Sequence, residues 1–489
     1  MAIRRLRFLS LLLLVLLRAF ASLPSQAAAR GGANPSSGID DERPGPFSRN
    51  LLQEPDITEE MTHGYMSNSE LEAAIQDFGS RCANVSRIYS IGKSVNGSPL
   101  RAIEISDKPG QKEAEPAFKF IGNVHGDEPV GREVLMQLVY WLCDNYLKDP
   151  LATLIVKNTH LHILPTMNPD GFALRRRGNA NNVDLNRDFP DQFFPINDEI
   201  NYRQPETRAI MNWIKQEHFT ASASLHGGAL VANYPWDGSR DKRKQYYGCP
   251  DDKAFRYMAS VYSKSHYNMS LSKEFRGGIT NGALWYPIYG GMQDWNYIYG
   301  DCFELTLEIS DIKWPKASEL PVIWKQNKMS MLNLVASMVK TGVHGRIFAA
   351  DTGRPIPGSL MVKGIDSKIS ASKTFGDYHR MLAPGESYEV EASMEGFRPK
   401  TTRIMLDREA MNLDFILDPV GADRRTKSLQ NDCGCRCDDG HGEKPFLLRE
   451  AYLWLYLLGL FFLLALYLLF RRRIALRLAR QPPKRPVPV

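Results

Sequence analysis

The clearest pattern of apolar and polar positions lies in residues 118–142. A short apolar run at 118–121 predicts a buried strand. The chain breaks at Gly122 and Gly126, and apolar residues then return at helical spacing. A strand, a tight turn and a helix in this order predict an α/β domain, whose turn lies at the carboxyl end of the strand, where such sheets bind ligands.

Further segments continue the alternation of strands and helices, so we expect an α/β fold with a mixed sheet flanked by helices. The other strands predicted for this sheet are 86–91, 100–105, 159–164 and 302–309. In the last of these, the odd positions from 303 to 309 are apolar and Glu304, Thr306 and Glu308 take the opposite face. Ser69 and Glu72 have the spacing of a capping box, which predicts where the first helix begins.

The pattern changes at Gly342, where short strands alternate with Gly, Pro and Asp turns. The predicted strands are 343–349, 360–362, 388–392, 403–406 and 413–417. They indicate a small all-β sandwich at 342–418. Because this segment holds no cluster of histidines or acids, we expect a structural or binding role for it, and we place the catalytic domain at 57–341.

The two ends of the chain predict a route through the secretory pathway. A basic start followed by an apolar run is typical of a signal peptide, and twenty residues without a charge have the length of a membrane-spanning helix. The basic tail that follows predicts a single-pass type I membrane protein with a cytosolic tail. The predicted segments are a signal peptide at 1–29, a disordered lead-in at 30–56, a Cys-containing stalk at 419–450, a transmembrane helix at 451–470 and the tail at 471–489.

The formal net charge of +6 is set by these ends. Of the 61 basic residues, eleven lie in the signal peptide and the tail, so the rest of the chain has 50 basic against 55 acidic residues. A mildly acidic body argues against a nucleic-acid-binding protein. The expected compartment is the secretory or endosomal pathway or the plasma membrane, with the catalytic domain lumenal or extracellular.

An oxidising compartment favours disulfides and glycosylation. The four cysteines of the body could pair in three ways, which the sequence does not decide, and Cys249–Cys302 is our working pair. The stalk cysteines at 433, 435 and 437 are more typical of disulfides or acyl chains than of a metal site. Three Asn-x-Ser sequons predict glycosylation at Asn84, Asn96 and Asn268.

The turn after the first buried strand carries His125 and Glu128, a spacing that can direct an imidazole and a carboxylate at one ion because Gly126 lets the chain fold back. His226 follows another apolar strand and is the candidate for a third ligand. Two histidines and a glutamate with one open position define a catalytic zinc site. Polar turns that contain His and Glu are more often simply exposed to solvent. The choice between a solvated turn and a zinc site therefore depends on the motifs in the rest of the chain.

Two more patches contain candidate chemistry. Residues 167–190 are rich in Asn, Asp and Arg, and inward-facing guanidinium groups there would hold an anion such as a carboxylate. Residues 277–309 contain paired glycines around Trp285, Tyr286 and Tyr289, which suggests an aromatic lid. Glu308, at the end of an interior strand, is the candidate general base.

Five motifs in this order resemble the zinc metallocarboxypeptidases, and the resemblance covers roughly residues 60–420. Together with the following β-sandwich they resemble the regulatory branch that includes carboxypeptidases D, E, M and N. The resemblance implies the zinc carboxypeptidase fold, a transthyretin-like sandwich and, with the predicted anchor, a single-domain membrane-bound member. The motifs are His125-Gly-Asp-Glu128, Asn168-Pro-Asp-Gly-Phe172, Asp184-Leu-Asn-Arg187, His226, and Gly290-Gly-Met-Gln-Asp294 through Glu308.

The resemblance also implies a role for each motif residue. His125, Glu128 and His226 would bind one Zn²⁺, and Asp184 would accept the other N–H of His125. Glu308 would act as general base on the attacking water, and Arg177 would polarise the scissile carbonyl. Asn186 and Arg187 would bind the free carboxylate of the substrate, and Tyr286 would close over its last residue. Asp237 and Gln293 would line the pocket for the last side chain.

A carboxylate in a closed pocket favours a cationic side chain. The resemblance therefore implies an exopeptidase that removes C-terminal Arg or Lys from peptides and processed precursors. A catalytically silent peptide-binding or adhesion module on the same fold is the main alternative, and intact ligands together with Glu308 argue against it. A zinc deacylase for small amino-acid conjugates is the third reading, and Asp237, the lid and the sandwich argue against it.

Overall fold

The computed structural model describes residues 64–194 and 200–421. The predicted signal peptide, the lead-in, the transmembrane helix, the basic tail and the stalk beyond residue 421 lie outside these residues. Within the two described ranges, no helix combines the length and the apolar character needed to cross a membrane.

A mixed sheet of eight strands forms the centre of the described chain, which confirms the predicted α/β architecture. The strands are β1 Ser86–Lys93, β2 Pro99–Ile105, β3 Ala117–Gly122, β4 His160–Leu164, β5 Ala221–His226, β6 Ala229–Tyr234, β7 Ile279–Asn281 and β8 Phe303–Ser310. Their order is β1-β2-β4-β3-β5-β8-β6-β7. The central strands β4, β3, β5 and β8 are parallel, so their carboxyl ends share one edge of the sheet.

Helices cover both faces of the sheet. They are α1 Asn68–Arg81, α2 Val130–Asn145, α3 Pro150–Asn158, α4 Pro169–Ala173, α5 Pro205–Glu217, α6 Asp252–Ser265, α7 Gly282–Trp285, α8 Met292–Gly300 and α9 Leu320–Lys340. The core on one face contains apolar residues of α1, α2, α3, α6 and α9. The core on the other face contains residues of α5 and α8. Strands buried on both faces explain why β3 and β5 read as unbroken buried segments.

Strand β8 divides its side chains as its sequence predicts. Its four apolar residues at 303–309 all belong to the larger core. On the opposite face, the Glu304 carboxylate accepts a hydrogen bond from Lys119 Nζ at 2.9 Å, and both side chains are fully buried. Ser222 Oγ donates to the same oxygen at 2.6 Å. A fully buried ion pair therefore lies inside the sheet, and Lys119 belongs to an otherwise apolar strand.

The first helix begins two residues earlier than the sequence predicts. Its N-cap is Ser67, whose hydroxyl accepts from the Glu70 N–H, and Glu70 returns the bond to the Ser67 N–H. The predicted box of Ser69 and Glu72 is therefore wrong. Both pairs have the spacing of a capping box, and Glu72 instead forms an ion pair with Arg101 of β2.

The predicted Cys249–Cys302 pair is also wrong. Cys82, just after α1, is bonded to Cys143 of α2, and Cys249 and Cys302 are buried thiols. The physical reason is the sheet itself. Cys249 belongs to the core on one face and Cys302 to the core on the other, where its sulfur lies 3.2 Å from Ser222 Oγ.

The chain after α9 forms further β-sheets around a separate apolar core. The strands are β9 Val343–Ala349, β10 Ser359–Val362, β11 Ile365–Ser370, β12 Asp377–Arg380, β13 Glu386–Ser393, β14 Lys400–Leu406, β15 Met411–Asn412 and β16 Phe415–Leu417. One sheet has the order β11-β10-β13-β14; the other has the order β12-β9-β15, with β16 also paired to β9. β11 and β12 were not predicted from the sequence, since both are largely polar.

A buried ion pair joins this sandwich to the larger sheet domain. Arg380 at the end of β12 is fully buried, and its Nη2 donates to Asp251 Oδ1 at 2.7 Å and to Oδ2 at 3.0 Å. Tyr297 of α8 donates to the same carboxylate at 2.7 Å. The guanidinium also stacks over Phe303 of β8, 5.3 Å from the ring centroid. The sandwich thus neutralises a carboxylate buried next to the larger core.

Candidate active site

The turn after β3 brings His125 and Glu128 together. His125 Nδ1 lies 2.9 Å from Glu128 Oε2, and both side chains are buried. The turn depends on Gly126, where a Cβ would come within 2.1 Å of the Gly171 carbonyl carbon. The amide of Asn168 donates to Val124 O at 3.3 Å and to Arg177 O at 3.2 Å, which ties this turn to the neighbouring loop.

His226 ends the adjacent parallel strand β5 and completes the cluster. Its Nδ1 lies 3.0 Å from Glu128 Oε2 and 3.1 Å from His125 Nδ1. Three atoms that each offer a lone pair therefore face one another in a buried space, which is costly unless a cation lies between them. Two imidazoles and one carboxylate are the donor set of a catalytic zinc site. The residues present thus fit a zinc ion.

Asp184 holds the first of these histidines from behind. Its Oδ1 accepts from His125 Nε2 at 3.0 Å, and its Oδ2 accepts from Arg177 Nε at 2.8 Å. Burial alone would raise the pKa of Asp184, but the hydrogen bond from His125 and the charges of His125 and Arg177 outweigh it and hold the pKa well below its usual range. The carboxylate therefore stays ionised and fixes the orientation of His125.

The second oxygen of Glu128 is held by two cations. Arg177 Nη1 donates to Glu128 Oε1 at 3.2 Å, and Lys313 Nζ donates at 2.6 Å. Lys313 follows β8 and was missed by the sequence analysis, because a single lysine in a loop gives no local signal. It lies only five residues after Glu308, and this proximity to a candidate base was the available clue.

Glu308 stands beside the ligand cluster on β8. It is paired with His226 in the register of β5 and β8, so both side chains leave the sheet at the same level. The carboxylate is largely buried, and its Oε2 has no hydrogen-bond partner among the described residues. Burial raises the pKa of Glu308 to about 7, against the lowering effect of His226. A carboxyl group with a pKa near neutrality suits proton transfer.

A cavity of about 250 Å³ opens in front of these groups. Arg187 and Asn186 line it from the loop after Asp184, and Tyr286 lines it from the chain after α7. Asn186 is positioned by its Oδ1, which accepts from the Met292 N–H at 2.9 Å. Tyr286 is half exposed at the rim and its ring packs against Trp285. The structure therefore brings these predicted residues to one cavity.

Asp237 forms part of the buried wall of the same cavity. Its Oδ1 accepts from Asn233 Nδ2 at 2.8 Å and from Gln293 Nε2 at 2.9 Å. Burial raises the pKa of Asp237 to about 6, partly offset by the Asn233 hydrogen bond and the charge of Arg187. At Gly282 the backbone comes so close that a Cβ would lie 2.1 Å from Asp237 Oδ1.

Gln293 differs in position from the prediction. The residues that line the cavity among those described do not include Gln293, which is buried behind Asp237. Its amide donates to Asp237 and accepts from the Thr306 N–H at 2.7 Å. Asn233, which the sequence analysis did not single out, lines the cavity and holds the same carboxylate.

The three predicted glycosylation sequons lie at the surface. Asn84, Asn96 and Asn268 are all exposed in the described chain. Each could therefore accept a glycan without disturbing a core, and glycosylation at these positions stays a prediction.

The fold and the His-Glu-His cluster are those of a metal-dependent peptidase. The profile of the zinc carboxypeptidase family matches residues 71–330, which is more than half of the chain. The chain belongs to the zinc carboxypeptidase family.

Its relatives lie in the regulatory branch that the motifs predicted. Carboxypeptidase SOL1 of Arabidopsis thaliana is 66% identical over 385 residues, which are 79% of this chain and 78% of that protein. Carboxypeptidase M of Mus musculus is 38% identical over 380 residues, covering 72% of this chain and 84% of the relative. Carboxypeptidase D of Mus musculus is 42% identical over 380 residues, but the match spans 73% of this chain and only 27% of carboxypeptidase D.

Proposed function

We propose that this zinc carboxypeptidase removes C-terminal Arg or Lys from peptides and processed precursors in the secretory or endosomal pathway. One observation carries the specificity. The buried carboxylate of Asp237 lines the same cavity as Arg187 and the His125–Glu128–His226 cluster. A cavity that offers a cation for the terminal carboxylate and an anion for the last side chain selects a basic C-terminal residue.

His125, Glu128 and His226 would hold one zinc ion. When bound, zinc would act as a Lewis acid that polarises the scissile carbonyl and activates water. Asp184 keeps the His125 ring oriented through the 3.0 Å hydrogen bond at Nε2. This contact also leaves the Nδ1 lone pair of His125 free to bind the metal.

Arg187 and Asn186 would bind the free carboxylate of the substrate, which limits cleavage to the last peptide bond. Guanidinium groups match the planar shape of a carboxylate and can bind both of its oxygens. Tyr286, half exposed at the rim, would close over the bound residue. An internal peptide segment has no free carboxylate and would not be held in this position.

Glu308 would take a proton from the attacking water and deliver it to the leaving amine. Its raised pKa suits both steps, because the ionised form accepts a proton and the protonated form donates it near neutral pH. Arg177, whose side chain is about a third exposed beside the ligand cluster, would stabilise the negative charge that develops on the carbonyl oxygen.

Asp237 would pair with the guanidinium or ammonium group of the last residue. An apolar last residue would leave this carboxylate buried without a cation, and that penalty disfavours such substrates. The predicted signal peptide and the predicted span at 451–470 support a lumenal or extracellular enzyme anchored to a membrane. The exposed sequons agree with that compartment.

The test uses three matched peptides that end in Arg, Lys or Leu, assayed with and without a zinc chelator. Release of Arg and Lys, abolished by the chelator and restored by Zn²⁺, is the expected result. Release of Leu at a similar rate would refute the role of Asp237 but keep the enzyme. Binding of zinc and peptide without release from any of them would favour the silent peptide-binding module.

A further inference from the structure

A second group of metal-ligating side chains lies at the opposite edge of the sheet. Glu113 and Glu115 belong to the loop between β2 and β3, and His160 is the first residue of β4. Each offers one ligand atom, and no two of these atoms lie farther than 4.8 Å apart. The loop with both glutamates precedes β3, and the active-site turn follows it. Because β3 contains six residues, the two groups lie roughly 17 Å or more apart.

His160 is oriented in the way that metal-binding histidines are. It is only 8% exposed, and its Nδ1 lies 3.3 Å from Glu104 Oε1. Glu104 is itself held by Arg87 Nε at 2.6 Å and by the Gly110 N–H at 3.1 Å. Because both of these groups donate to it, Glu104 is the acceptor toward His160, so Nδ1 carries the ring proton and Nε2 has the free lone pair.

The other atoms of the group also lack partners. His160 Nε2, Glu113 Oε2 and Glu115 Oε2 are buried atoms without a hydrogen bond among the described residues. Lys108 neutralises Glu113 through the other carboxylate oxygen, at 2.5 Å. Glu115 has no hydrogen bond and no ion pair within the described ranges. Each of the three residues thus has a buried atom without a partner in the described chain, in a group whose ligand atoms lie within 4.8 Å of one another.

Such an arrangement favours a bound cation, and the absence of a hydrogen bond at Nε2 within the part of the chain that the structure describes favours a metal ion over a shared proton. A shared proton would give a hydrogen bond at Nε2, yet neither carboxylate oxygen is in hydrogen-bonding geometry with it. A metal ion with bonds of about 2.0–2.2 Å holds ligand atoms up to about 4.4 Å apart. Binding here therefore requires at most a small inward movement of the partly exposed glutamates. The imidazole favours a transition metal over Ca²⁺ or Mg²⁺, which prefer oxygen ligands.

We propose that Glu113, Glu115 and His160 are the ligands of a second divalent metal site, distinct from the active site. The metal ion that it binds is Zn²⁺. The ion links the β2–β3 loop to the first residue of β4. Its role is structural, since the site lies at the edge of the sheet away from the cavity. Solvent completes the coordination, because both glutamates are partly exposed.

The first measurement is the zinc content of the full chain after equilibration with Zn²⁺ and removal of free metal. We expect two zinc ions per chain in the wild type and one in Glu115→Gln. Glu72→Gln is the matched control, because Glu72 is a partly exposed glutamate in an ion pair with Arg101, and this variant should keep two. One zinc ion in the wild type, or two in Glu115→Gln, would overturn the proposal.

Thermal unfolding provides the second measurement and keeps the test valid if one variant folds poorly. Starting from protein with one zinc ion per chain, further Zn²⁺ should raise the Tm of the wild type and of Glu72→Gln. It should leave the Tm of Glu115→Gln and of His160→Gln unchanged, while their peptidase activity stays at the wild-type level. A rise in Tm with Ca²⁺ instead of Zn²⁺, or an equal rise in all four proteins, contradicts the assignment.

Discussion

At each end of the strands of the eight-stranded sheet, a carboxylate paired with an arginine holds a histidine, but the two histidines have different surroundings. At the carboxyl ends, His125 is hydrogen-bonded to Asp184, which is hydrogen-bonded to Arg177. At the amino ends, His160 is held by Glu104, which is held by Arg87. Each imidazole is thus hydrogen-bonded to a carboxylate that also forms an ion pair with an arginine.

The two groups differ in their ligand types and in the distances between their ligand atoms. The active-site atoms comprise two imidazole nitrogens and one carboxylate oxygen, no more than 3.1 Å apart. The second group has one imidazole and two carboxylates within 4.8 Å, and its glutamates belong to a partly exposed loop. Rigid strand ends around a cavity suit catalysis, whereas a loop at the opposite edge suits a structural ion. The surroundings of the two groups, more than their ligand types, therefore separate a catalytic from a structural use.

The largest effect is expected from removing an active-site ligand. His226→Gln should lower kcat/KM by on the order of a thousandfold or more, because the Lewis acid contributes several kcal/mol to transition-state stabilisation. Peptide hydrolysis and zinc content are measured together. His160→Gln is the matched variant at the other edge and should keep full activity, so equal losses in the two variants would erase the contrast between the sites.

Loss of the base should reduce turnover without releasing the metal. Glu308→Gln keeps the shape of the side chain but cannot accept a proton, and we expect kcat to fall by about 10²–10⁴-fold. The zinc content should equal that of the wild type. A wild-type kcat would remove Glu308 from the reaction.

The preference for basic over apolar C-terminal residues should depend on Asp237 and not on its exposed neighbour Asp241. In Asp237→Asn, kcat/KM for peptides ending in Arg should fall by about a hundredfold, because a cation would enter the cavity without its buried partner. Peptides ending in Leu should be cleaved as before. Asp241→Asn, on the more exposed neighbouring loop, is the control and should change neither rate. A loss that is equal for Arg and Leu peptides would contradict the assigned pocket.

A smaller effect is expected at Lys313, which holds the outer oxygen of Glu128. Lys313→Met should weaken zinc binding by about tenfold, since loss of such an outer contact leaves the ligand less well oriented. Competition with a chelator measures the affinity, and the exposed Lys325→Met serves as the control. Unchanged affinity would show that Arg177 orients Glu128 without help.

The smallest effect concerns pH. Burial raises the pKa of Asp237 to about 6, so its charge is present above this pH and is lost as the pH falls through it. The ratio of kcat/KM for Arg-ending over Leu-ending peptides should therefore fall below about pH 6. The ratio cancels effects of pH on the shared catalytic groups. A ratio that stays constant between pH 5 and 8 would argue that Asp237 does not bind the basic side chain.

Much of the fold and the main cluster could be predicted, because their signals are local. The segment at 118–142 contains a strand, a turn and a helix within one short stretch. The alternation of β8 assigned Glu308 to one face of the sheet from eight consecutive residues. Motifs of this kind also led to the correct family.

The failures concern contacts between distant segments. The partner of Cys82 depends on how α1 packs against α2, and spacing along the chain contains no information on this contact. Lys313 and Asn233 reach the site from loops and strands that carry no motif. The buried Lys119–Glu304 pair joins positions 185 residues apart, and each of its members looks like an exception until the sheet is assembled.

The ion pair between Arg380 and Asp251 has a practical consequence for recombinant production. A fragment that stops at residue 341 would contain the whole catalytic sheet, but Asp251 would lose the guanidinium that neutralises it in the interior. Removing one partner of a buried pair costs about 3–5 kcal/mol, a large share of the stability of a typical domain. The shortest chain worth expressing therefore includes the sandwich and ends after β16.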